Sequence, residues 1–521
     1  MNIAGLLHDQ ALAIGERVAI VERGRTTTFA QLDRAAASAA AELTDAGIVP
    51  GMRALVLSPM SIALYTTIIA MFRLQVTAVF VDPSAGRDRL DKCIRRVRPD
   101  AFVGVPRAHL LRLTTPAIRS IPIKVAIGGW MPGARTIGKR GLDVAALSIR
   151  PCAADTPAII TFTSGSTGEP KAAVRSHGFL IAQHKALVES LALLEGEVDL
   201  TTLPIFLLAN LASGVTSVIP DADLRAPAAV DPARIIDQIR TTQPTRTVAS
   251  PAFLERIARE ALRRHERLDT FRHLFTGGAP VFPNTLDVLA SAAPKASIVA
   301  VYGSTEAEPI AAIDLSDITP ADRAAMQKGA GLLAGRPSAS ITVRILPDRW
   351  GTSSGPWDVA AFEREGVPAG HAGEIVVGGD HVLTGYLDGA GDAETKIKVG
   401  ERVWHRTGDA GYLDLDGRLW LLGRCAERVS DGHGVLYPFA VECAASDVPG
   451  VSRSAFVQHH GRRVLVIEPD ENATLPRETL MTLLAWAHLA DVLSVPRIPV
   501  DQRHNAKVDY PALRLMLESL R

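Results

Sequence analysis

RALVLS (53–58), TAVFV (77–81), AFVGV (101–105), KVAIG (124–128) and AIITFTS (158–164) are short apolar runs that alternate with alanine-rich helical stretches such as FAQLDRAAASAAAELTDAG (29–47). Strands separated by crossover helices build parallel sheets covered by helices, so this third of the chain reads as α/β layers. From about residue 371 the texture changes to short strands broken by Gly and Asp turns, GEIVVGG and GYLDLDGRLWLLGR, the pattern of a β-rich subdomain. After Arg424 about a hundred residues remain, with their own apolar segments SRSAFVQ and RVLVIEP and a terminal helix, enough for a small α+β domain. A chain of 521 residues exceeds what one core usually holds. The expected fold class is therefore α/β: a large N-terminal domain of layered sheets with a β-rich subdomain, then a small C-terminal domain.

Composition narrows the function classes. With 56 basic and 56 acidic residues the chain lacks the charge excess that a phosphate-backbone partner favours, so nucleic acid is not an expected partner. Cys93, Cys152, Cys425 and Cys443 are too few and too scattered for a disulfide framework or a zinc site, which fits a reducing cytoplasm. The N-terminus lacks the charged start, apolar block and cleavage site of a secretory signal. Two uncharged stretches approach membrane length, Ala54 to Phe72 and Leu200 to Pro220. Each is interrupted by Pro and Ser, and the second also by Asn and Gly, so both read as buried strand and helix segments rather than membrane spans. No fixed-period repeat or long low-complexity run is present.

The densest chemical signal is TFTSGSTGEPK (161–171), directly after a predicted strand. Glycine lets backbone N–H groups close on phosphate oxygens, hydroxyls donate further hydrogen bonds, and lysine adds a point charge. This describes a phosphate cradle. A kinase-type phosphate loop requires G-x-x-x-x-G-K-[ST], whereas here Pro170 precedes Lys171 and Ala172 follows it; the plain alternative is a surface turn. YGSTE (302–306) follows the apolar run ASIVAV, at the carboxyl end of a predicted strand, where α/β sheets bind ligands. Tyr302 offers an aromatic face to a base and Gly303 allows close approach. Thr305 can bond a phosphate, and the Glu306 carboxylate can hold Mg²⁺. WHRTGDAGY (404–412) supplies Asp409, which can accept both hydroxyls of a ribose or can simply cap a β-turn.

These segments, with GEIVVGG, RTGDAGYLDLDGRLWLLGR and the late lysine of RHNAK, occur in the order found in the AMP-forming adenylating superfamily of acyl-CoA synthetases, adenylation domains and luciferases, which the chain resembles from Thr28 to Lys507. The resemblance implies activation of a carboxylic acid as acyl-AMP, with ATP and Mg²⁺ as cofactors. It also implies an N-terminal domain over 1–423, a hinge over 424–428 and a mobile C-terminal domain over 429–521. By matching positions, Thr163, Ser164, Gly165, Ser166, Thr167, Gly168 and Lys171 would hold the ATP phosphates, and Tyr302 with Gly303 would face adenine. Gly278 joins this nucleotide-binding set. Thr305 and Glu306 would meet phosphate and magnesium, Asp409 and Arg424 would bind ribose, and Lys507 would bridge the reacting carboxylate and the α-phosphate. Such an attack needs the charge of both groups screened, which a lysine and a magnesium ion provide.

Several positions depart from the common pattern. Where many acyl-CoA synthetases carry a histidine the chain reads LPIFLLAN (203–210). The hinge is GRCAER (423–428), with Ala426 in place of an expected aspartate, and the Gly-rich stretch after it is replaced by SDGHGVLYP. The ending PVDQRHNAK (499–507), the form of Tyr302 to Ile310 and the G-A-G-x-x-x-G-R-P segment from Gly329 to Pro337 resemble the β-lactone synthetases of bacterial olefin biosynthesis and their natural-product relatives. That resemblance implies a 3-hydroxy acid substrate whose own hydroxyl closes a four-membered lactone on the activated carbonyl. One molecule holding nucleophile and electrophile gains effective molarities of roughly 10⁵–10⁸ M, which helps offset ring strain. The alternatives are an acyl-CoA or acyl-carrier ligase acting on a fatty or related acid, and a catalytically weak nucleotide-binding or carrier-partner protein; Lys171, Glu306, Asp409 and Lys507 argue against the last. No carrier-domain motif follows Lys507, and pathway enzymes are candidate partners. Leu203 to Ile219, Thr276 to Pro280 and Val301 are candidates for an acyl pocket or for core, and His504 and His433 are candidate bases or surface residues.

Overall fold

The computed structural model describes residues 2–82, 86–138, 148–163, 170–226, 229–470, 475–501 and 507–519. The chain divides into two compact units: residues 1–221, 238–247 and 380–392, and residues 222–237, 248–379 and 393–521.

In the first unit the apolar runs read from the sequence become one sheet. Among the described residues its strand order is Arg135–Thr136, Ile123–Ala126, Ala101–Gly104, Arg53–Leu57, Thr77–Phe80, Pro157–Thr163 and Lys171–Ser176. Every pairing is parallel except the last, Pro157–Thr163 against Lys171–Ser176. Helices cover it. Phe29–Asp45 starts in a capping box, with Thr28 Oγ1 accepting from Gln31 N (3.2 Å) and Gln31 Oε1 accepting from Thr28 N (3.0 Å). Ile62–Leu74 is capped by Ser61. Leu32, Leu43, Ile68 and Phe72 from these helices pack with Val56, Val103 and Ile159 from the strands in one buried cluster. Both near-membrane-length stretches resolve as expected. Arg53–Leu57 and Ile62–Leu74 account for the first, and Val198–Thr201, Pro204–Ala212 and Thr216–Ile219 for the second. Among the described residues no helix is long and apolar enough to cross a membrane.

The second unit carries the β-rich part. Its strand order is Thr342–Leu346, Gly373–Gly378, Arg402–Leu413, Leu419–Arg424, Leu332–Pro337, Ala307–Asp314, Ser297–Ser304 and His273–Gly277. The β-rich texture therefore begins near residue 332, earlier than the 371 read from the sequence. Leu332–Pro337 pairs antiparallel with both Ala307–Asp314 and Leu419–Arg424 and so joins the two halves of this sheet. Its glycines have spatial reasons. A Cβ on Gly331 (φ +93) would lie 2.5 Å from the Leu421 carbonyl, and one on Gly335 (φ +86) would lie 2.1 Å from that of Ala312. From residue 429 the chain forms a hairpin, Val429–Asp431 with Gly434–Leu436, and a three-stranded sheet of Val451–His459, Arg462–Pro469 and Asp491–Ser494. One face of that sheet packs on the helix Pro438–Ser446 and the other on Tyr510–Ser519.

Candidate active site

Tyr302 and Gly303 lie within Ser297–Ser304, which runs parallel to His273–Gly277 and antiparallel to Ala307–Asp314; Thr305 and Glu306 are the turn between the antiparallel pair. This strand can approach its neighbour closely because Gly277 has no Cβ, which would lie 2.5 Å from the Val301 carbonyl. Gly278 follows with φ +81. The motif is thus a hairpin end rather than a bare strand terminus, and Glu306 is buried.

Asp409 sits within Arg402–Leu413, directly opposite Arg424 in the antiparallel register, and not in a β-turn. Gly408 adopts φ +70 over the Trp350 ring, which a Cβ would approach to 2.9 Å. Thr407 Oγ1 donates to the Ile375 carbonyl (2.8 Å) and accepts from Asp409 N (3.0 Å), fixing the backbone here. The Tyr302 hydroxyl donates to Asp409 Oδ2 at 2.7 Å. Arg424 Nε lies 3.3 Å from Asp409 Oδ1, while its Nη1 donates to the Thr407 carbonyl at 3.0 Å. Withdrawal from water, and then the Asp409 carboxylate, push the Tyr302 phenol up, so it remains a protonated donor. The Asp409 carboxylate raises Arg424 first, with further contributions from Tyr302 and Glu306. Three residues read separately from the sequence, Tyr302, Asp409 and Arg424, are thus joined by one hydrogen bond and one ion pair, with Glu306 in electrostatic reach.

Lys507 is held through its backbone by Asp501. Its backbone N–H donates to Asp501 Oδ1 (3.0 Å), and its carbonyl accepts from Asp501 N (2.9 Å). Three residues on, Tyr510 opens the last helix, and its hydroxyl donates to Glu442 Oε1 at 2.6 Å. Glu442 is buried and also accepts from Phe456 N (2.9 Å); burial pushes its carboxyl up to about 7, against the lowering effect of these two bonds. His504 lies outside the described residues. His433 is exposed at the tip of the hairpin, its ring stacked 4.4 Å from that of His488.

Lys171 belongs to the first unit. It opens Lys171–Ser176 opposite Thr163, the end of the preceding strand, and its Nζ lies 5.9 Å from the centre of the Tyr386 ring. Gly391, at φ +101, leaves room for it: a Cβ there would lie 2.6 Å from Lys171 Cδ. Arg96 donates to the Pro170 and Leu387 carbonyls at 2.9 and 3.0 Å. Ser164, Gly165, Ser166, Thr167 and Gly168 lie outside the described residues. The acyl-pocket candidates divide: Asn210 is core, its Nδ2 donating to Thr201 Oγ1 and Ser217 Oγ at 3.1 Å each. Ile205, Leu208 and Ala209 instead line a small apolar cleft with Leu7, Phe72 and Leu187.

Among the described residues no three His, Cys, Asp or Glu side chains converge as a metal cage. The single carboxylate of Glu306, on a turn with Ser304 and Thr305, suits magnesium, which takes one or two protein carboxylates and completes its shell from substrate phosphates and water. Sequence reading missed Asp348. Its side chain, only 8% exposed, accepts from Tyr437 Oη (2.8 Å), Arg428 Nη1 (3.3 Å) and Trp350 N (3.1 Å). An aspartate in LPDRWG carries no signal beyond that of an ordinary loop.

A layered α/β fold with a tyrosine–aspartate–arginine group beside a strand hairpin is compatible with a nucleotide-dependent enzyme, and the chain belongs to the AMP-binding enzyme family, whose match covers residues 7–387. It is an ATP-dependent, AMP-forming ligase. Over 97% of its length it is 34% identical to the olefin beta-lactone synthetase of Stenotrophomonas maltophilia, covering 96% of that protein. In fold it is similar to the amide bond synthetase McbA from Marinactinospora thermotolerans (TM-score 0.79, 23% identity, 99% of both chains). It is also similar to ATP-bound MatB from Rhodopseudomonas palustris (TM-score 0.78, 21% identity, 100% of both chains).

Proposed function

We propose that this chain activates a 3-hydroxy carboxylic acid with ATP and closes it to a β-lactone. In the first step a carboxylate oxygen bonds to the α-phosphorus of ATP, the bond to the bridging oxygen breaks, and pyrophosphate leaves. In the second the substrate's 3-hydroxyl oxygen bonds to the acyl carbon and gives up its proton, while the acyl–phosphate bond breaks to release AMP. The observation that carries the nucleotide assignment is the Tyr302–Asp409–Arg424 group. In it a half-buried aromatic ring, a ribose-competent carboxylate and a cation are joined at 2.7 and 3.3 Å. The near full-length similarity to an olefin beta-lactone synthetase supports the second step.

In this reading Tyr302 and Gly303 face adenine, Asp409 and Arg424 hold ribose, Thr163 to Gly168 with Lys171 hold the phosphates, and Gly278 belongs to the nucleotide-binding set. Glu306, beside Thr305, holds magnesium, which when bound screens the phosphate charge. Lys507 screens the carboxylate and α-phosphate. The domain division at 424–428, with lobes over 1–423 and 429–521, belongs to the same reading, and so does a cytoplasmic location, where ATP is available. Replacing Lys507 by Ala should slow acyl-AMP formation by roughly 10²–10³, the typical effect of losing one preorganised charge-stabilising donor. ATP binding should persist through Asp409 and the phosphate loop. An unchanged rate of ATP–pyrophosphate exchange in the variant would remove Lys507 from the mechanism.

A further inference from the structure

The resemblance that implies acid activation also implies a small lobe that swings about its hinge between half-reactions. This hinge is built differently. Ala426 stands where an aspartate is expected, and the hinge residues are instead tied to a carboxylate far away in sequence, Asp348. Arg428 Nη1 reaches it at 3.3 Å and also donates to the Cys425 carbonyl at 2.9 Å. The Cys425 thiol is completely buried, and that burial first, then the charge of the same carboxylate, push it up. Tyr437, the residue that opens the first helix of the small lobe, donates its hydroxyl to Asp348 at 2.8 Å.

The carboxylate is itself fixed to the nucleotide-side strand. Arg406, three residues before Asp409, is 2% exposed and pairs with Glu374 at 2.6 Å. Its Nη2, which makes that pair, also donates to the Arg349 carbonyl (3.2 Å) and its Nη1 to that of Thr352 (2.5 Å), holding the loop that presents Asp348. Ala410 and Leu422 from the sheet, Cys425 from the hinge and Tyr437 and Ala440 from the lobe form one buried cluster around this arrangement. Two further contacts act in the same direction: Arg514 of the last helix pairs with Glu427 of the hinge at 2.5 Å, and the Trp486 indole lies on Gly329. Turning the lobe about residues 424–428 would strip a nearly buried carboxylate of two side-chain donors and leave it the Trp350 N–H, an unfavourable change.

We infer that Asp348 is a positioning residue that bolts the hinge and small lobe to the strand carrying Asp409, so that both half-reactions proceed in one lobe orientation. The inference rests on the lactone reading, in which the nucleophile is already bound beside the adenylate and no thiol has to enter. Three variants test it, Tyr437→Phe, Asp348→Asn and Asp348→Ala, by two measurements. Trypsin cleavage after Arg424 and Arg428 is followed by mass spectrometry on the full chain alone, with ATP and Mg²⁺, and during turnover of a 3-hydroxy acid. The wild type should be cut at one slow rate in all three states. Tyr437→Phe, which keeps the ring and loses one donor, should be cut roughly 10-fold faster and Asp348→Ala up to 100-fold, the equilibrium shifts expected for lost hydrogen bonds to a charged group. Asp348→Asn, which keeps an acceptor, should fall between them. In steady-state kinetics kcat should fall by a similar factor with the KM for ATP unchanged. Wild-type cleavage that changes during turnover, or variants cut at the wild-type rate, would overturn the inference. If Asp348→Ala does not fold, Tyr437→Phe decides. A wild type that forms no adenylate from 3-hydroxy acids refutes the functional reading instead, and the cleavage rates of the first two states then decide the bolt by themselves.

Discussion

Gly329 opens the G-A-G segment with φ +91, and a Cβ built on it would lie 2.5, 2.6 and 2.9 Å from three ring atoms of Trp486. Replacing Gly329 by Ala therefore does two separable things. It places an L-residue in a backbone region that only glycine occupies freely, which costs about 1–2 kcal/mol. It also drives a methyl group into an aromatic ring, an overpacking cost of roughly 1–3 kcal/mol. The sum, about 2–5 kcal/mol, is large against the stability of an ordinary domain. Truncating the ring removes the second part only. In a Trp486→Ala background the same glycine substitution should thus cost about 1–2 kcal/mol, leaving a coupling of roughly 1–3 kcal/mol between the two positions. The assay is a four-variant cycle by urea denaturation followed by circular dichroism, with the transition of the small lobe read from the fluorescence of its own tryptophan where present. Equal costs of Gly329→Ala with and without the Trp486 ring would refute the idea that this glycine exists to seat the indole.

Glu306→Gln should raise the Mg²⁺ requirement and lower turnover with the fold intact; a magnesium titration that overlays the wild type would make Glu306 structural. Glu442 provides a stability test with a defined sign. Its carboxyl titrates near 7 when folded and near 4.5 otherwise, so the unfolded chain loses this proton at lower pH and stability falls as pH rises from about 4.5 to about 7. Glu442→Gln mimics the protonated form: it should match the wild type below pH 4.5 and exceed it above pH 7 by an amount on the order of 3 kcal/mol, measured by denaturant unfolding across that window. A wild type that gains stability over the variant through this window would reverse the assigned cause.

Much of this architecture was written in local patterns. Five of the six parallel strands in the sheet of Arg53–Leu57 follow from apolar runs whose period and spacing are set within a few residues, and TFTSGSTGEPK, YGSTE and RTGD carry their recognisable residue types in consecutive positions. What escaped the sequence is non-local. Asp348 meets Arg428 and Tyr437 at separations of 80 and 89 residues, and nothing in the intervening chain marks their convergence. Leu332–Pro337 was not assigned to the β-rich part because its role is to bridge two antiparallel neighbours, one 20 or so residues before it and one about 90 after. Asp409 kept two readings in the sequence because a Gly-Asp pair suits a turn. The strand through it is stabilised by pairing with Leu419–Arg424, which a local turn preference does not include.

The central claim is that the acyl adenylate is consumed by the substrate's own hydroxyl. The direct measurement is mass spectrometry of the products formed from a 3-hydroxy acid and from the matched acid lacking the 3-hydroxyl, each with ATP and Mg²⁺, with and without CoA. The account predicts AMP, pyrophosphate and a β-lactone from the hydroxy acid at a rate indifferent to CoA, and from the other acid a tightly held acyl-AMP with at most slow hydrolysis. Rapid CoA-dependent thioester formation from the unhydroxylated acid would contradict it.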